Sequence, residues 1–69
     1  MLEAAATICA ALDPVPPGMR RFRIRGQSPG RRFPVLYFVA ARQEDAEATY
    51  RLHAEAGPEV KLVVGVTPA

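Results

Sequence analysis

Between Arg20 and Arg25 the chain alternates cleanly between apolar and polar positions. Phe22 and Ile24 fall on one side of an extended backbone, and Arg21, Arg23 and Arg25 on the other. A period of two marks a half-buried strand. Gly26-Gln27-Ser28-Pro29-Gly30 then reads as a turn, since its glycines can take positive φ and its proline presets φ. Phe33 to Ala41 reads as a second strand paired to the first as a hairpin, with Pro34 near its start, where a missing N–H is tolerated. It is apolar on both sides, with Val35, Tyr37 and Val39 on one and Leu36 and Phe38 on the other. Such a strand expects cover on both faces.

The pattern changes period at Glu44. Ala46, Tyr50 and Ala54, flanked by Leu52 and His53, make a helical stripe within Glu44 to Ala56. Glu44, Asp45 and Glu47 load the first turn favourably for the helix dipole. Gly57-Pro58 is the stop signal. Val60 to Thr67 is a last strand with Val60, Leu62, Val64 and Val66 on one face. Upstream, the alanines of Met1 to Leu12, with Leu2, Ala5, Cys9 and Leu12 at helical spacing, predict a short helix. Asp13-Pro14 ends it, and Val15-Pro16-Pro17-Gly18 is a stiff connector.

The expected fold is therefore α+β: a short N-terminal helix followed by a ββαβ unit, a three-stranded sheet with one packing helix. Residues 1–18 form a helical arm with a Pro-rich connector, and residues 19–69 a compact body. The last strand can lie beside the first, in order 2-1-3, or beside the second, in order 1-2-3. The two-sided apolarity of the second strand and the charge on the first favour 1-2-3, with the arginines guarding an edge. One helix covers only one sheet face. Leu36 and Phe38 are then left for the arm, a homodimer or a protein partner to cover.

Composition narrows the function. At 69 residues the chain is near the lower limit for a stable core, and an apolar fraction of 49% argues for a folded chain. The single cysteine, Cys9, excludes an internal disulfide and fits a reducing compartment. Cys9 and His53 are too few soft ligands for a structural zinc site, and no cofactor is expected. No apolar run reaches the length of a membrane span, and Glu3 stands where a signal peptide wants positive charge. The expectation is a cytoplasmic protein without membrane association.

Net charge is only +2, but its distribution is uneven. Arg20, Arg21, Arg23, Arg25, Arg31 and Arg32 crowd the hairpin with no acid among them, whereas Glu44, Asp45, Glu47 and Glu55 face Arg51 alone in the helix region. Guanidinium forks suit phosphates and carboxylates, and Phe33 and Tyr37 lie close enough in sequence to stack on bases or on arginine planes. The six arginines are the candidate partner-binding residues; the plainer alternative is that they solubilise the hairpin. The glycine loop is no phosphate-binding loop, because three residues separate Gly26 from Gly30, arginine follows, and strands flank it. His53 lacks a nucleophile and an orienting partner, and the helix acids crowd one exposed end. No catalytic set emerges, so the expected protein is not an enzyme.

The stretch from Ala40 to Ala48, followed by Gly57-Pro58 and a valine-rich strand, resembles a small ββαβ layout used by ribosomal and phage accessory proteins. With the size, the bare catalytic inventory and the arginine hairpin, it resembles the small mobile-element inhibitors of the anti-CRISPR kind. The resemblance spans the body from Met19 onward and carries no motif whose residue roles transfer. It implies a protein that binds a CRISPR effector complex and blocks DNA binding or nuclease recruitment, in the host bacterial cytoplasm if phage-encoded. The rival expectation is a module that binds nucleic acid directly, such as a phage or plasmid regulator or a ribosome-associated protein.

Overall fold

The computed structural model describes residues 5–67. Its elements are β1 (Ala6–Cys9), β2 (Arg20–Ser28), β3 (Arg31–Ala40), α1 (Gln43–His53) and β4 (Lys61–Thr67). All strand pairings are antiparallel and form one four-stranded sheet in the order β1-β3-β2-β4. The sheet and its single helix make a plate of 38 × 29 × 15 Å.

Two expectations about the sheet do not hold. The predicted N-terminal helix gives way to a strand over Ala6–Cys9, so the sheet has four strands and not three; the first residues of that helix lie outside the described ones. Thr7 and Ile8 are β-branched, and a helix of this length is marginal alone, so pairing with the edge of β3 outweighs the alanine propensity. A turn closed by Asp13, whose backbone N–H donates to the Ala10 carbonyl (3.2 Å) and whose carboxylate accepts from the Ala10 N–H (2.8 Å), ends the strand. The preferred order 1-2-3 also fails: β1 occupies the outer edge of β3, and β4 lies against β2. The arginine-bearing strand is therefore central. Its charges leave the sheet through a face, where they do not obstruct pairing on either side.

The core lies between α1 and one face of the sheet. Registers Phe22↔Phe38 and Ile24↔Leu36 place Leu36 and Phe38 on the helix-covered face, and Phe22↔Val66 and Ile24↔Val64 add β4. Tyr50, Phe38 and Ile24 are the largest fully buried side chains, and the Phe38 and Tyr50 rings meet edge to face at 6.3 Å. The expected uncovered interface at Leu36 and Phe38 is thus corrected: Phe38 is fully buried beneath α1 and Leu36 packs against the core. Within α1, Ala46 and Tyr50 are buried as the stripe requires, whereas Leu52 and His53 are exposed.

The hairpin turn is shorter than predicted. Gly26, Gln27 and Ser28 belong to β2, and Pro29-Gly30 alone makes the reversal, with Gly30 at φ 73°. Arg25 faces Val35 but Gln27 faces Arg32, so Phe33 and Pro34 together oppose Gly26 in a bulge. Pro34 has no N–H to give the ladder. Tyr50 fills the gap: its hydroxyl accepts from the Gly26 N–H (2.7 Å) and donates to the Pro34 carbonyl (2.6 Å). The bulge turns Phe33 into the core, where it lies so close to Gly26 that a Cβ there would stand 2.8 Å from Phe33 Cγ.

Helix α1 ends in a Schellman turn. Ala54 is the cap, Glu55 takes φ 53°, and the Ala56 N–H reaches back to the Arg51 carbonyl at 2.9 Å. Arg51 anchors the loop between α1 and β4, donating from Nη1 to the carbonyls of Gly57 (2.6 Å) and Val60 (2.9 Å). A glutamate in the left-handed region carries a steric cost that glycine avoids. Glu55→Gly is expected to raise unfolding free energy by about 0.5–1 kcal/mol, read by urea titration; an unchanged or lower midpoint contradicts this reading of the cap.

Candidate binding face

The sheet face away from α1 is built in cross-strand rows. Val39 and Thr67 flank Arg21, Tyr37 and Gly65 flank Arg23, Val35 and Val63 flank Arg25, and Arg32 and Lys61 flank Gln27. Thr7 and Cys9 of β1 extend the first two rows beyond Val39 and Tyr37. Successive side chains along one strand face stand ~6–7 Å apart and neighbouring strands ~4.8 Å apart, so the basic groups form a stripe down the middle. None of the four strands contains an aspartate or glutamate. Helix acids Glu44, Asp45 and Glu47 lie with α1 on the other side of the sheet, which separates charge across a thin plate.

The six predicted arginines do not share one face. Arg23, Arg25 and Arg32 are exposed on the open face. Arg31 leaves by the opposite face, with its guanidinium 4.5 Å from the Phe33 ring centroid and a hydrogen bond to the Glu55 carbonyl (3.3 Å). Arg20 is exposed at the start of β2, opposite Ala40. Arg21 is half-buried: it donates from Nη2 to the Asp13 carbonyl, and its Nε is buried without a partner. Arg21 therefore ties the connector to the open face. Among the described residues the one ion pair is Arg42–Glu44 (3.5 Å), so none of the face arginines is neutralised by a carboxylate there.

Phe33, expected to stack on a base or on an arginine plane, is buried at the core edge with the Arg31 guanidinium over its ring; Tyr37 remains half-buried on the open face opposite Arg23. Sequence reasoning missed Lys61, whose place beside Gln27 depends on the β2–β4 pairing. Its position at the start of an alternating strand was visible, but not its neighbours. Toward the hairpin end, Arg25, Gln27, Arg31, Arg32 and Phe33 line a groove of about 410 Å³. At the other end, Cys9, Asp13, Pro16, Met19 and Val39 line a more apolar hollow of about 580 Å³. Burial pushes the Cys9 thiol up from its ordinary value and Asp13 adds to that, while the charge and hydrogen bond of Arg21 pull the other way. The result is a thiol kept protonated near neutrality, suited to packing rather than nucleophilic attack.

His53 packs its ring 5.8 Å from that of Phe38 at the helix end, away from the arginine face. No helix among the described residues is long and apolar enough to cross a membrane. No protein-family model, curated protein or solved structure shows a significant match to the chain.

Proposed function

We propose that this protein is a non-enzymatic interaction protein that binds a bacterial nucleoprotein machine and inhibits it, meeting that machine with the arginine-bearing face of its sheet. One observation carries the reading: Arg23 and Arg25 stand exposed at the centre of an uncovered face whose strands hold no acid. Guanidinium groups that meet no carboxylate among the described residues gain little for the fold, and their charge seeks an anionic surface. Both components of a nucleoprotein machine offer one, as phosphates or as acidic grooves. The inhibitory part is supported by the likeness in size and bare catalytic inventory to small mobile-element inhibitors.

A pull-down from a bacterial lysate, with and without nuclease treatment and with the captured proteins identified, tests it. The expected result is recovery of a defined nucleoprotein complex whose binding to its DNA or RNA falls when the purified protein is added. Recovery of no such complex, or of one whose activity the protein leaves unchanged, overturns the proposal.

A further inference from the structure

We infer that the open face is a platform for single-stranded nucleic acid, with phosphates along Arg23, Arg25, Arg32 and Lys61 and a base stacked at Tyr37. The inference rests on the anionic-partner reading above and names which component of the machine the face meets. Arg23 and Arg25 are two residues apart on β2, and Arg32 and Lys61 stand on either side of Gln27 in the next row, so the line of exposed cations forks at the hairpin end. A flexible polyanion can track such a line phosphate by phosphate.

The neutral positions distinguish the occupant. Beside Arg23 stand Tyr37 on one side and Gly65 on the other, and a Cβ built on Gly65 would meet nothing within 4 Å. This row places a half-buried tyrosine and bare backbone on either side of an exposed arginine. A base can lie on it with its face toward the phenol and its phosphate at the guanidinium. An acidic peptide would use the arginines and leave the ring and the bare backbone without a task.

Duplex DNA fits the face poorly. At ~4.8 Å spacing, the four strands of the Arg23 row span ~14 Å and the three of the Arg25 row ~10 Å before side chains are added, whereas the major groove is ~12 Å wide and admits a helix or a two-stranded ribbon. The arginine strand is internal, so its neighbours on both sides would have to enter that groove with it. A single strand laid across the face needs no groove.

The test is fluorescence anisotropy with the whole purified chain and labelled oligo-dT and oligo-rU of about 12 nucleotides, a length such platforms cover, against a duplex of equal length. Single strands should bind more tightly than duplex. With about three or four phosphates neutralised, affinity should fall roughly twenty- to fiftyfold between about 50 and 200 mM salt. Arg23→Gln should flatten the logarithmic salt slope by about 0.7. Tyr37→Ala should weaken binding roughly tenfold, while Tyr37→Phe, which keeps the ring, should not. Tyr37→Leu, which keeps apolar volume without a π face, replaces the alanine variant if circular dichroism shows that variant unfolded. Absent single-strand binding, equal or tighter duplex binding, or binding indifferent to loss of the Tyr37 ring overturns the inference. If single strands fail to bind while a nuclease-resistant complex is still captured through Arg23 and Arg25, the occupant is protein and the wider reading stands. If neither binds, both fall.

Discussion

Deleting residues 1–18 is expected to change the protein's oligomeric state or solubility and to cost at least about 2 kcal/mol of stability. Strand β1 pairs four residues, Ala6 to Cys9, with Tyr37 to Ala40 of β3, and Ala6 is buried. Each ladder hydrogen bond contributes ~0.5–1.5 kcal/mol net, against a core that in chains of this size supplies only ~3–5 kcal/mol. Removal would also bare the 37–40 stretch of β3's outer edge, a template for pairing with a second copy. It would free Arg21 from the Asp13 carbonyl as well. Size-exclusion chromatography and urea titration read both effects. A truncated chain with the parent's oligomeric state and an unchanged midpoint contradicts the four-stranded sheet.

Tyr50→Phe is expected to lower unfolding free energy by about 1–3 kcal/mol, the range for stripping a partner from a buried polar group. The substitution changes no packing volume of note, so the loss isolates the hydroxyl. That oxygen stands between the Gly26 N–H and the Pro34 carbonyl, both left out of the ladder by the bulge, and Tyr50 is fully buried. Water does not readily replace it. In a domain of this size the loss corresponds to a fall in Tm of ~4–8 °C per kcal/mol. The check is calorimetry of the two chains side by side. A difference below about 0.5 kcal/mol, the scatter of ordinary surface changes, removes Tyr50 as the clasp of the hairpin.

These two sites mark what the sequence made legible and what it hid. The alternation from Arg21 to Arg25 placed Phe22 and Ile24 inward and the arginines outward, because a period of two leaves no other arrangement for a one-sided strand. The helix and its buried Ala46 and Tyr50 were legible for the same kind of reason. Strand β1 was hidden. Four residues are too few to show a period, and alanines advertise helix until an unpaired strand edge is available to them. The bulge was hidden as well. Strict alternation from Val35 puts Phe33 on the arginine face, and only the extra residue opposite Gly26 turns it inward. Pro34 was the one available sign, since it cannot donate to a ladder.

The candidate face was half legible. Six clustered arginines announced a charged surface, but not that Arg31 leaves by the other side or that Arg21 is engaged with the connector. Those facts depend on register and on a loop, and neither has a periodic signature. The pairing of Tyr37 with Arg23, and the arrival of Lys61 beside Gln27, likewise required the strand order.

Arg23 and Arg25 are the centre of the proposed working surface, and charge reversal at both tests that role most directly. Both side chains are exposed and make no ion pair among the described residues, so Arg23→Glu with Arg25→Glu should leave unfolding within about 0.5 kcal/mol per site of the parent. Losing a charge-assisted contact at an interface costs roughly 2 kcal/mol or more, and placing like charges against an anionic partner costs further. Titration of the captured complex, or of single-stranded oligonucleotide, with parent and doubly reversed protein should show binding abolished while circular dichroism and melting stay unchanged. A doubly reversed protein that folds and binds at full strength contradicts the account.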